Sequence, residues 1–219
     1  MNSALLFDLD GTLVETDHLH LLAFQTVFEP FGVTLDRERY NKDMIGSCNA
    51  DIGRIFLPQL NVAEQARVLE EKEVVYRSYV RDLAPVAGLL PLLDFCDAQN
   101  LGRAVVTNAP RENADLLVVS LGLHARLPIV VSAYQLPRGK PDPLPYLTAL
   151  ERTGAQAENS VAFEDSATGV RSAAAAGVAV VGLTTSLSPE RLKEAGACLI
   201  VTDFTDPRIY ELITQRRVA

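Results

Sequence analysis

Two carboxylates, Asp8 and Asp10, stand directly after the apolar run Ala4-Leu5-Leu6-Phe7 near the start of a 219-residue chain. An unbroken apolar run suits a strand covered on both faces of a parallel sheet, and ligands of such sheets bind beyond the carboxyl ends of the strands. Asp8 and Asp10 would point the same way at that edge, and Gly11 permits the sharp departure that leaves the strand-end backbone accessible. Asp-Gly is also an ordinary turn dipeptide. A calcium loop that begins Asp-x-Asp would need an acid or amide in place of Thr12 and a glycine in place of Leu13, so that alternative fails twice.

Two later apolar runs end in the same manner. Ala104-Val105-Val106 leads into Thr107-Asn108, and Ser160-Val161-Ala162-Phe163 leads into Glu164-Asp165. Between them lies Gly139-Lys140-Pro141-Asp142-Pro143, a lysine followed at once by a rigid helix start. Singly, each piece has a plain structural reading. Asn108 or Ser166 can cap the next helix, Pro110 can sit in its first turn, and Lys140 can be a solvated turn residue.

Together they would gather four carboxylates at one edge, where mutual repulsion is unfavourable unless cations are present. Carboxylates, a backbone carbonyl and water form the hard-oxygen set that Mg²⁺ prefers, and Asp10 is expected to offer its carbonyl. Phosphoryl transfer needs a nucleophile held in line, positive charge on the equatorial oxygens and an acid for the leaving group. Asp8 can attack phosphorus to form an aspartyl-phosphate, and Asp10 can protonate the departing oxygen and later deprotonate water. Lys140 and Mg²⁺ would offset charge, while the Thr107 hydroxyl, Asn108 and the backbone N–H groups around Leu9 and Gly11 would bind phosphoryl oxygens.

The elements that must position these residues are legible in the periodicity. After Thr12 the pattern turns helical, with Leu21, Phe24, Val27, Phe28 and Phe31 on one face until Gly32. A second helical piece surrounds Asp51 to Leu57. A longer one runs from Val62 to Val80, with Val62, Ala66, Leu69, Tyr76 and Val80 on one side and charges opposite. From Pro85 onward strands alternate with helices: 89–99, 104–106, 111–121, 129–131, 143–153, 160–163, 167–176, 178–181, and a last helix at 207–216. That alternation implies right-handed crossovers and a parallel, doubly wound α/β sheet.

Composition narrows the setting. With 48% hydrophobic residues the chain can bury a sizeable core, and a net charge of −8 without any Lys/Arg run argues against nucleic acid or an anionic membrane surface as partner. No apolar stretch reaches the ~18 residues of a membrane span. Met1-Asn2-Ser3 lacks the charged opening of a signal peptide, so a cytoplasmic location is expected. Cys48, Cys96 and Cys198 are odd in number and far apart, which predicts reduced core thiols.

Asp8-Leu9-Asp10-Gly11-Thr12-Leu13-Val14, Val106-Thr107-Asn108, Gly139-Lys140-Pro141-Asp142-Pro143 and Phe163-Glu164-Asp165-Ser166 resemble, in order, the four motifs of the haloacid dehalogenase-like superfamily. The chain is similar to the subgroup with an α-helical cap, which includes sugar-phosphate phosphatases, phosphoglycolate phosphatases and β-phosphoglucomutase. The resemblance implies a Rossmann-like core of residues 1–14 and 85–219, with a helical cap at 15–84 closing over the site. It implies Asp8 as nucleophile, Asp10 as acid and base, Thr107 and Lys140 as phosphate ligands, Asp165 as metal ligand, and Glu164 as a ligand or an outer carboxylate.

Departures within the family discriminate further. Dehalogenases proper lack the second acid because no leaving oxygen needs a proton, so Asp10 favours phosphate ester chemistry. The mutase resembles this chain at Thr16 and His20, the implied cap contacts, but carries a cap arginine where Gly46-Ser47-Cys48-Asn49 stands here. His20, on an otherwise apolar helix, also suits a packed or capping role. Arg54 and Arg111 are candidates for a second anionic group of the substrate, or solvated surface charges. The expected function is Mg²⁺-dependent hydrolysis of a small phosphorylated metabolite. A sugar phosphomutase is the runner-up, and a noncatalytic phosphate- or Mg²⁺-binding module the third reading.

Overall fold

A computed structural model describes residues 2–44 and 49–218. The chain divides into two compact units, Met1–Glu15 with Leu83–Ala219, and Thr16–Asp82. The first strand, β1 (Ala4–Phe7), belongs to the larger unit and is buried along its whole length, as its apolar run requires.

The smaller unit is helical: α1 (Asp17–Phe28), α2 (Arg37–Asp43), α3 (Asn49–Phe56) and α4 (Val62–Tyr79). Its core holds Leu21, Phe24, Val27, Phe28, Tyr40, Ile52, Phe56 and Leu69, so the apolar face of α1 is buried as its spacing requires. Helix α2 was not marked by periodicity, because Tyr40 is its single large apolar residue. Its signal was the cap instead, with Asp36 accepting from the Arg39 N–H at 2.8 Å. The expected apolar face of α4 needs correction. Val62 is 82% exposed, while Lys72 and Glu73 are buried beside Leu69 and Tyr76. The two charges survive burial by pairing, Lys72 Nζ donating to Glu73 at 3.1 Å.

The larger unit alternates as the sequence predicts: α5 (Leu89–Ala98), β2 (Gly102–Thr107), α6 (Arg111–Ser120), β3 (Ile129–Ser132), α7 (Leu144–Thr153), β4 (Val161–Glu164), α8 (Ala167–Ala175) and β5 (Ala179–Leu183). Three later elements follow: α9 (Pro189–Ala195), β6 (Leu199–Val201) and α10 (Arg208–Val218). The hydrophobic pattern missed α9 and β6, which are too short to show a period; Pro189 and Gly196 were the punctuation that brackets α9. All six strands are parallel, in the order β3-β2-β1-β4-β5-β6. This is a doubly wound, Rossmann-like sheet, whose strand order reverses between β1 and β4. Phe7 pairs in register with Phe163 and their rings stack at 5.1 Å. The residues that follow them, Asp8 and Glu164, therefore emerge side by side at the switch point.

The cysteines divide. Cys96 lies buried in α5, whereas Cys198 is exposed, correcting the expectation that it is a core thiol; it sits at the edge leading into β6. Cys48 lies outside the described residues. Among the described residues no helix is long and apolar enough to cross a membrane.

Candidate active site

The site grows from the ends of β1 and β4. The Asp8 N–H donates to the Phe163 carbonyl at 3.0 Å, which continues the ladder one residue past β1 and fixes where the Asp8 side chain starts. The chain then turns: the Leu13 N–H returns to the Leu9 carbonyl at 2.9 Å, and Gly11 takes the left-handed conformation at φ 78°. Glycine is needed there twice over. Its backbone angle strains any other L-residue, and a Cβ would sit 2.1 Å from Asp165 Oδ2. Asp10 stands on this turn, half-buried, its backbone bridged to Val14.

Lys140 comes from the segment before α7 and is buried, contrary to a solvated turn residue. Its Nζ donates to Asp8 Oδ1 at 2.6 Å and to Glu164 Oε1 at 2.5 Å. Asn108 holds the lysine's main chain from both sides: the Lys140 N–H donates to Asn108 Oδ1 at 3.0 Å, and Asn108 Nδ2 donates to the Lys140 carbonyl at 3.3 Å. Asn108 therefore does not cap α6, whose N-cap is Pro110. Thr107 is buried at the end of β2, and its Oγ1 accepts from the Ala109 N–H at 2.9 Å.

Asp8, Glu164 and Asp165 form a cluster in which each offers one oxygen and all three oxygens lie within 4.8 Å of one another. Thr12 Oγ1 donates to Asp165 Oδ1 at 3.4 Å. Ser166 does cap α8, accepting from the Gly169 N–H at 3.0 Å, and its hydroxyl also donates to Glu164 Oε2 at 3.2 Å. Sequence reasoning missed Tyr146, fully buried in the first turn of α7, whose hydroxyl donates to Glu164 Oε1 at 2.6 Å. The available signal was a polar aromatic on a face that the helical period sends to the core.

The electrostatics follow from burial. Desolvation pushes the Asp8 carboxyl up to about 8, with Lys140 pulling it back and Glu164 pushing it further. Burial also opposes the charge of Lys140, but Asp8 and Glu164 outweigh it and hold the ammonium above its ordinary range. One buried lysine thus faces three buried acids. The carboxylate oxygens are hard ligands at a spacing one ion can span, so the triad could hold a divalent cation, which would offset the remaining negative charge.

Of the other expected residues, Thr16, His20 and Arg54 belong to the helical unit and Arg111 to the larger one. Thr16 is buried at the N-cap of α1. His20 stacks on Tyr76 with ring centroids 4.1 Å apart, and its Nδ1 lies 2.8 Å from Lys72 Nζ. Arg54 is an exposed partner of Asp51 at 2.8 Å, and Arg111 pairs with Asp115 at 2.9 Å along α6, so each has a structural partner within one helical turn.

An acid triad and a buried lysine thus stand at the switch point of a doubly wound sheet, the place where such sheets bind their ligands. The sequence model of the haloacid dehalogenase-like hydrolase family matches residues 5–183, and the chain belongs to that family. It is 31% identical to the phosphorylated carbohydrates phosphatase of Thermotoga maritima over 90% of this chain and 93% of that one. It is 32% identical to the phosphoglycolate phosphatase of Rhodospirillum rubrum over 93% and 88%. Among solved structures, CbbY of Rhodobacter sphaeroides in complex with phosphate superposes with a TM-score of 0.79 at 28% identity, covering 94% of this chain and 96% of that one.

Proposed function

We propose that this enzyme is a Mg²⁺-dependent phosphatase that hydrolyses a small phosphate monoester, of the sugar phosphate or phosphoglycolate kind, through a phosphorylated Asp8. The observation that carries the reading is the Lys140 ammonium shared between Asp8 and Glu164 at 2.6 and 2.5 Å, in a buried cluster with Asp165. A nucleophilic carboxylate, a fixed cation and further hard oxygens are the parts that phosphoryl transfer requires.

In this reading Asp8 attacks phosphorus and the ester oxygen leaves with a proton from Asp10. Asp10 then takes a proton from water as water attacks the aspartyl-phosphate, which releases phosphate and restores Asp8. Lys140 neutralises charge that develops on the phosphoryl oxygens. The Thr107 hydroxyl and the main-chain N–H groups of the turn from Leu9 to Gly11 donate to the same oxygens. Asn108 serves by holding the Lys140 backbone. Asp8, Asp165 and the Asp10 carbonyl are the proposed Mg²⁺ ligands, with Glu164 beside them; Mg²⁺ would supply further positive charge for the transferring group. Selection among substrates is assigned to the helical unit, where Thr16 and His20 are the candidates.

Net hydrolysis is preferred over mutase chemistry because the stretch Ile45-Gly46-Ser47-Cys48-Asn49, of which 45–48 lie outside the described residues, contains no cationic side chain to retain a sugar phosphate while it turns around. The test is phosphate release from p-nitrophenyl phosphate and a sugar-phosphate panel with Mg²⁺, and its loss with EDTA. Incubation with β-glucose 1-phosphate plus glucose 1,6-bisphosphate decides between the two chemistries. Accumulation of glucose 6-phosphate well ahead of free phosphate would establish the mutase instead.

A further inference from the structure

We propose that the hydroxyl of Tyr146 is a positioning device for Lys140, acting through Glu164. From the proposed nucleophile inward runs a continuous chain of short contacts: Asp8 Oδ1 to Lys140 Nζ at 2.6 Å, Lys140 Nζ to Glu164 Oε1 at 2.5 Å, and Glu164 Oε1 to Tyr146 OH at 2.6 Å. Each of the four side chains is buried.

The lone-pair inventory of Glu164 explains why the last link matters. Oε1 receives two donors, the ammonium and the phenol, which fills the two in-plane positions of a carboxylate oxygen. Oε2 receives Ser166 Oγ at 3.2 Å. Without Tyr146, one lone pair of a fully buried carboxylate would be unmet, and the carboxylate could turn to relieve it, drawing the lysine with it. Charge-assisted bonds of this length are the strong ones, so the phenol is a firm anchor.

The anchor belongs to the same segment that carries the lysine. Lys140 and Tyr146 are six residues apart, one just before α7 and one in its first turn, and the ammonium also lies 5.3 Å from the centre of the Tyr146 ring. Segment 140–146 therefore closes on a single oxygen of Glu164. Asn108 fixes the main chain of Lys140, Glu164 fixes its ammonium, and Tyr146 and Ser166 fix Glu164. The ring packs in the core cluster with Leu6, Val106 and Ala162, so packing accounts for an aromatic ring at position 146. It does not account for the hydroxyl, which is the part that reaches the acid.

Tyr146→Phe keeps the ring and removes only that donor. The kinetic arm rests on the phosphatase reading and uses p-nitrophenyl phosphate with Mg²⁺. Tyr146→Phe is expected to lower kcat about tenfold, with a smaller change in KM, the scale of one charge-assisted hydrogen bond lost from the apparatus. In a Glu164→Ala background the same change should cost nothing further, since its route of action is gone. Equal kcat losses in both backgrounds would overturn the proposal.

The second arm needs no turnover. Side-chain ¹⁵Nζ spectra report Lys42, Lys72, Lys140 and Lys193, with Lys140 assigned by its loss in Lys140→Met. Tyr146→Phe should shift or broaden the Lys140 ammonium signal and leave that of Lys72 in place. An unchanged Lys140 signal in a folded variant would refute the positioning role. If wild-type protein released no phosphate while the Lys140 signal responded, the phosphatase reading would fall and the positioning role would stand.

Discussion

The carboxylate of Glu164 occupies the space that a side chain at position 169 would fill: a Cβ on Gly169 would lie 2.0 Å from its Cδ and from both of its oxygens. Gly169 stands in the first turn of α8, three residues after the cap Ser166, so the acid lies against the helix N-terminus, where the macrodipole favours an anion. Glycine in a helix ordinarily costs about 0.5–1 kcal/mol relative to alanine. Here it is the condition for the acid to reach Lys140.

Gly169→Ala should therefore reverse the usual sign. At an open helical position the change would raise stability by roughly 1 kcal/mol; here the clash with a buried carboxylate should lower Tm and reduce kcat at least about tenfold by displacing Lys140. Thermal melts and steady-state kinetics on the single variant check both. A raised Tm with unchanged turnover would show that Glu164 has room to move.

Asp8→Asn should abolish turnover and leave the fold intact, because the amide keeps the shape and loses the nucleophile. In wild-type protein the beryllofluoride adduct should form on Asp8. An adduct on any other residue would overturn the proposed mechanism.

Metal and acid/base roles should separate between Asp165 and Asp10. Asp165→Ala removes a proposed ligand and should weaken Mg²⁺ binding by calorimetry. Asp10→Asn should leave that affinity nearly unchanged and slow turnover by roughly 10²- to 10⁴-fold, the usual contribution of a general acid. Equal losses of Mg²⁺ affinity would contradict the division.

The raised pKa of Asp8 has a consequence for metal-free protein. Its folded value of about 8 lies above the ordinary 3.8, so between those values the native state binds the extra proton and the Asp8 contribution to stability falls as pH rises. Below pH 4 the contribution is fully present, and above 8 it is lost. Melts of wild type in EDTA should decline across that window more steeply than those of Asp8→Asn. Identical slopes would place the carboxyl in its ordinary range.

The sequence by itself marked five of the six strands and the residues at the carboxyl edge of the sheet. Short apolar runs such as Ala4–Phe7 and Val161–Phe163, bounded by turn residues, suit buried strands, and their polar successors are carried to the carboxyl edge by covalent connection. Asp8, Lys140, Glu164 and Asp165 were therefore legible as candidates without coordinates. Elements with too few apolar residues to repeat a pattern, α2, α9 and β6, were not.

Tertiary structure decided which groups meet and what each spends its hydrogen bonds on. Asn108 could have capped a helix; the fold turns both ends of its amide onto the Lys140 backbone instead. Lys72 and Glu73 read as a solvated face of α4, and burial beside His20 and Tyr76 became possible only because the charges pair. Tyr146 is one more aromatic in a helical repeat until β4 brings Glu164 to within 2.6 Å of its hydroxyl. Period and propensity are local and one-dimensional, whereas the satisfaction of a buried polar group depends on partners brought from distant positions in the chain, and only packing selects them.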